Sequence, residues 1–120
     1  MRRSGSPKKS AKKDGADAGA ERHLEVEYLP VAVRDVHEIF DYIRKDDPDA
    51  AGAFIERFDK AVGKLSDFPH LGIEPKDDRL RIMGYRMLVI DNYLVFYVIK
   101  KDVVEIRRVI HGKRRYSFLL

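Results

Sequence analysis

The stretch VIHGKRRY at residues 109–116 gathers side chains suited to handling a phosphate group. His111 exchanges protons near neutral pH, Arg114 and Arg115 carry the planar fork that grips two phosphate oxygens at once, Lys113 adds a point charge, and Tyr116 can stack on a base or donate a proton. Arg79, Arg81, Arg86, Arg107 and Arg108 belong to the same basic region, in which residues 79–120 hold ten Lys/Arg against three Asp/Glu. If these cations share a face, that face attracts an anionic partner such as RNA, DNA or an acidic peptide. Each also has a purely structural use. Basic runs are usually solvated, a histidine at a strand end usually lies at a surface or edge, and Tyr116, Phe118, Leu119 and Leu120 suit packing against a sheet or a partner. Strict strand alternation sends Arg107 and Arg108 to opposite faces, so at most one of them joins a given patch.

The elements that must position these groups are drawn from 120 residues, 44% hydrophobic and 37% charged, with a formal net charge of +4. That is enough for one small domain with a modest core. There is no cysteine, which excludes disulfides, thiolate metal sites and a cysteine nucleophile. No metal or cofactor is expected. Neither a signal peptide nor a membrane span is legible, so the expected location is cytoplasmic, with no membrane partner. Residues 1–23 carry seven Lys/Arg and three Asp/Glu, are rich in Gly, Ala, Ser and Lys, and have no apolar period, which reads as a disordered basic tail. Residues 24–120 form the folded domain. Residues 24–78, with seven basic and fourteen acidic residues, balance the basic second half.

LEVEYL at 24–29 alternates apolar and acidic residues as a half-buried strand does. Pro30 then opens a helix with Ala32, Val36, Ile39, Phe40 and Ile43 as its apolar stripe. Asp47 caps a second helix that starts at Pro48, runs to about Ser66 and buries Ala51, Phe54, Phe58, Ala61, Val62 and Leu65. So short a connection predicts an antiparallel helical hairpin. DFPHLGIEPKDD at 67–78 is a loop. Four strands follow: RLRIM, YRMLVI, YLVFYVI and VVEIRRVI, the last three as a meander with turns at Asp91-Asn92 and at KKD. YLVFYVI is apolar on both faces and therefore central, with Tyr42, Tyr93 and Tyr97 assigned to core packing. The predicted class is α+β: a twisted antiparallel sheet with a helical hairpin on one face, in the order β-α-α-β-β-β-β.

The helical hairpin with its exit, DYI…A…FIERFDKAV…L…FPHLG, and the meander Y…FYVI…VVEIRRVIHGKR stand in an order and spacing that resemble the RelE/ParE superfamily of toxins, over nearly all of residues 24–120. The resemblance implies the toxin of a type II toxin–antitoxin pair, neutralised by a cognate antitoxin and arresting growth. It also implies one of two targets: RelE-like members enter the ribosome and cleave mRNA, whereas ParE-like members poison DNA gyrase. Metal-free RNA cleavage requires a base, cations at the scissile phosphate and an acid for the leaving oxygen. Arg86, His111, Arg114 and Tyr116 are the catalytic candidates and Arg79, Arg81, Lys113 and Arg115 the RNA-binding ones. Ribosome-dependent cleavage is the leading expectation; the alternatives are a non-catalytic gyrase poison and a degenerate toxin that binds only antitoxin. Two basic positions of the RelE-like set fall on Leu88 and Leu94, and its terminal tyrosine falls near Leu120. Arg114 retains the arginine of the GKR motif.

Overall fold

The computed structural model describes residues 23–114, 116, 119 and 120. The expected basic tail lies almost wholly outside the described residues, as do Arg115 and Phe118. Strand β1 (Glu25–Tyr28) leads into α1 (Pro30–Asp46), then α2 (Pro48–Gly63), a 3-10 turn (Lys64–Ser66), a short α3 (Asp78–Ile82) and strands β2 (Tyr85–Ile90), β3 (Tyr93–Lys100) and β4 (Val103–His111). The break between the long helices follows from Asp47-Pro48. A residue before proline is driven out of the helical region, and Asp47 sits at φ −155°, ψ 95°. From there its carboxylate accepts the Ala50 N–H at 3.1 Å and so caps α2.

The sheet order is β1-β4-β3-β2. Its class is α+β as expected, with two corrections of detail. First, β1 runs parallel to β4, Glu25 opposite Val103 through Tyr28 opposite Ile106, so the sheet is mixed rather than wholly antiparallel. The helical hairpin carries the chain across one face before it re-enters the sheet, which leaves β1 at an edge. Second, RLRIM is not a strand, because most of it lies in α3, whose Leu80 N–H is capped by Asp77 at 3.0 Å. Leu80 is fully buried there. The remaining strands pair as the predicted meander, with Asp91 (φ 55°) and Lys101 (φ 49°) taking the left-handed conformation that tight turns demand.

β3 is central, and both of its faces are covered. On one side Val95 and Tyr97 meet Phe54, Phe58, Val62 and Ile39 of the helices. On the other, Phe96 and Val98 meet Leu80, Tyr85 and Ile110, with Tyr116, Leu119 and Leu120 folded over them. Each such apolar side chain contributes on the order of 2 kcal/mol of burial free energy before the cost of ordering it. The expected stripes pack with two exceptions: Phe40 is half-buried and belongs to neither core cluster, and Tyr42 is 69% exposed and stands outside the core.

A bulge also changes the reading of the paired arginines. The register of β3 with β4 slips between Phe96 and Tyr97, which face Arg108 and Ile106, so Arg107 is the extra residue. Alternation fails at a bulge. Arg107 binds Glu105 at 2.7 Å and lies over the Tyr85 ring, while Arg108 reaches both the Leu119 carbonyl and Asp35 of α1. Both are held by internal acids instead of one facing a patch.

Candidate functional site

The candidate residues fall into separate neighbourhoods, each set by its element. Arg86 lies on β2 opposite Tyr97. Its Nε and Nη2 donate to the Gly72 carbonyl at 3.1 and 2.8 Å, Nη2 also donates to His70 O at 3.2 Å, and Nη1 is 3.7 Å from Glu74. The Tyr97 hydroxyl completes this clamp by donating to Pro69 O at 2.7 Å and accepting from Gly72 N at 2.9 Å. The guanidinium thus fastens the loop that leaves α2.

Burial raises the Tyr97 pKa, and the Gly72 amide and the Arg86 charge only partly oppose it. The folded state therefore keeps the phenol proton where the unfolded chain loses it. This contribution to stability is complete below about pH 10 and is lost as pH rises beyond that value. Tyr97→Phe is expected to lower stability near pH 8 by about 2 kcal/mol, through the unpaired Pro69 carbonyl and Gly72 amide, and to flatten the alkaline decline. Urea midpoints between about pH 8 and 11 measure both effects. Parallel pH profiles for the two proteins would contradict the assignment.

His111 and Arg114 lie at the far end of the sheet, in a cleft of about 610 Å³ between α1, α2 and the end of β4. His111 faces Tyr93, and Arg86 faces Tyr97 across β3's other edge, so the two sites are offset by four residues, roughly 13 Å, along that strand. The His111 ring stands edge-on to Tyr93 at 5.3 Å between centroids, and its Nδ1 accepts the Lys113 N–H at 3.1 Å. That bond leaves the neutral ring's proton on Nε2. The Arg114 N–H donates to His111 O at 3.0 Å, and its side chain is exposed at the cleft rim. Across the cleft Arg57 grips Asp91 at 2.7 Å, a bond that holds its guanidinium above the usual arginine range.

Tyr116 is on the other face of the sheet, its ring packed at a tilt against Phe96 with centroids 4.9 Å apart. Arg79 reaches Met83 Sδ at 3.6 Å, and Arg81 pairs with Asp78, both on or beside α3. Lys113 is exposed in the turn after β4, and Arg115 lies outside the described residues. Leu88 packs with the helical-face core and Leu94 with the opposite one. Among the described candidates, Arg81 and Arg86 line a small cleft of about 220 Å³ with His70 and Glu74, while His111 and Arg114 share the larger one, which brings an imidazole and a cation together.

Sequence reasoning missed Asp35. It is 8% exposed and accepts from Arg108 Nε (2.8 Å), Arg108 Nη2 (3.0 Å) and Val109 N (2.9 Å). Hydrogen bonding to Asp35 holds the Arg108 pKa above its ordinary value against the cost of burial. The signal was available: an acid three residues after Ala32 and four before Ile39 sits on the apolar stripe, and a charge there needs a partner.

The family described as the ParE toxin of type II toxin–antitoxin system, parDE, matches residues 26–116. The protein named "Putative toxin Y4kP" of Sinorhizobium fredii (strain NBRC 101917 / NGR234) is 38% identical over 91 residues, which is 74% of this chain and 88% of that one. Among solved structures, the chromosomal ParDE system from P. aeruginosa superimposes with a TM-score of 0.64 at 16% identity, over 76% of this chain and 98% of that chain. The RelBE2 toxin–antitoxin complex from Mycobacterium tuberculosis does so at 0.51 and 24% identity, over 75% and 92%. These two show the same fold, and the family match spans the helical hairpin, the meander and the cleft between them. The chain belongs to the ParE toxin family of type II toxin–antitoxin systems.

Proposed function

We propose that this toxin arrests growth in the cytoplasm by binding and poisoning DNA gyrase, without cutting RNA, and that a cognate antitoxin neutralises it. The observation that carries the reading is the dispersal of the nuclease candidates. Arg86 is spent on the Gly72 and His70 carbonyls, and Tyr116 lies across the sheet from His111. Acid–base cleavage of a phosphodiester requires its groups within hydrogen-bond reach of one phosphate. The ParE match and the apolar Leu88 and Leu94 add support. The antitoxin is inferred from the family and from the paired systems named for both structural relatives.

Ribosome-dependent mRNA cleavage is the second reading, favoured by the shared cleft of His111 and Arg114. Expression of the chain without an antitoxin, with transcript-end mapping beside a gyrase cleavage assay, separates the two. Growth arrest with unchanged mRNA ends and accumulated gyrase–DNA cleavage complexes is expected. New mRNA ends that vanish with Arg114→Ala would transfer the assignment to the nuclease. Normal growth at full expression would leave only an antitoxin-binding protein.

A further inference from the structure

The sheet has a strand-shaped opening. β4 spans Val103–His111, but its outer neighbour β1 pairs only with Val103 to Ile106, because the chain turns into α1 at Leu29-Pro30. Beyond that point β4 would present a bare edge. The chain closes part of it, with the Asp35 carboxylate taking the outward Val109 N–H at 2.9 Å. Since N–H and C=O of one strand residue point the same way, the Val109 carbonyl faces outward too, as do the backbone groups of His111, two residues on. The His111 carbonyl is taken by Arg114 N. The Val109 carbonyl and the His111 N–H have β1 on neither side of them, and they open into the cleft that α1 and α2 wall off.

An acceptor on one residue and a donor two residues later are what a single residue of a parallel strand engages, donating to the first and accepting from the second. An antiparallel residue would instead need both groups of Val109, and Asp35 holds one of them. We infer that an extended segment of the antitoxin enters this cleft as a parallel strand beside the end of β4, in line with β1, its paired residue opposite Ile110. This rests on the reading that an antitoxin binds the chain at all.

The walls fix the segment's chemistry. The residues flanking the paired one point to the helical layer, where Ile39, Ile43 and Phe54 line an apolar floor with Tyr93. Running parallel to β4, the segment's C-terminal end comes to Arg114 and Lys113, which are exposed. Arg114 calls for a carboxylate there, so the segment is apolar and β-branched with an acid on its C-terminal side.

The test is hydrogen exchange on the toxin, alone and co-purified with the product of the adjacent open reading frame. The His111 amide is expected to slow by at least about tenfold in the complex. Arg114→Glu, an exposed change that spares the core, should weaken the complex by about tenfold, one charge-assisted hydrogen bond. A complex that forms with His111 exchange unchanged and Arg114→Glu neutral would overturn the strand site while leaving the antitoxin reading intact. No complex with that product would remove the reading and the site together.

Discussion

Alanine at Asp35 is expected to reduce the free energy of unfolding by about 3 kcal/mol, the low end for breaking a buried ion pair because Arg108 keeps some access to water. Asp35 joins three things that otherwise have no reason to stay together: helix α1, the bulged part of β4 and the sheet edge left open where β1 stops. Truncation strands a guanidinium whose side chain is 18% exposed and orphans the Val109 N–H on a residue that is itself buried. Asp35→Asn keeps an acceptor for that N–H and gives up the charge, so it should lose roughly half as much. The paired change Asp35→Leu with Arg108→Met removes both charges and should cost less than Asp35→Ala alone. Urea unfolding of the four proteins at neutral pH measures the series. A loss below about 1 kcal/mol for Asp35→Ala would mean that solvent reaches the pair as it would on an open surface.

Why some of this was legible and some was not follows from the range of the signals. The two long helices announce themselves through periodic apolar residues and through Asp47-Pro48, all local, and they stand where the spacing puts them. β3 is internal because a strand apolar on both faces has to be, and Asp91-Asn92 turns because these residue types tolerate the left-handed conformation, which Asp91 adopts at φ 55°. α3 was hidden since RLRIM is too short to show a period, and only the Asp77 cap marks it. β1 as a parallel edge strand could not be read, because pairing over so long a separation leaves no mark on either segment. For the candidate site, residue type was informative and direction was not. Arg86 and Tyr116 have the right chemistry, yet a loop carbonyl claims one and an aromatic ring the other. The bulge that turns Arg107 and Arg108 inward obeys neither a period of two nor one of 3.6.

Gly72→Ala is expected to be as damaging as the loss of Asp35, for a steric reason. A Cβ on Gly72 would stand 2.6 Å from the Met87 carbonyl oxygen and 2.7 Å from the Tyr97 hydroxyl. Neither can withdraw freely. The Met87 carbonyl accepts Ile73 N at 2.9 Å, and the Tyr97 hydroxyl donates to Pro69 at 2.7 Å from a ring buried in the core. Relief requires the loop to lift, which also breaks the bonds from Arg86 to Gly72 and His70. Overpacking with the attendant lost hydrogen bonds amounts to about 3 kcal/mol, or a Tm lower by about 15 °C in a domain of this size. Gly52 supplies the internal control, because an added Cβ there meets nothing within 4 Å and the residue lies inside α2. Gly52→Ala should raise stability by about 0.5 to 1 kcal/mol through helix propensity. Opposite signs for one chemical change at two glycines, read by thermal unfolding, isolate the close approach of the loop to β2 as the cause. Equal effects at the two positions would mean that the clamp around Gly72 is loose, and Arg86 would then be free to serve a phosphate after all.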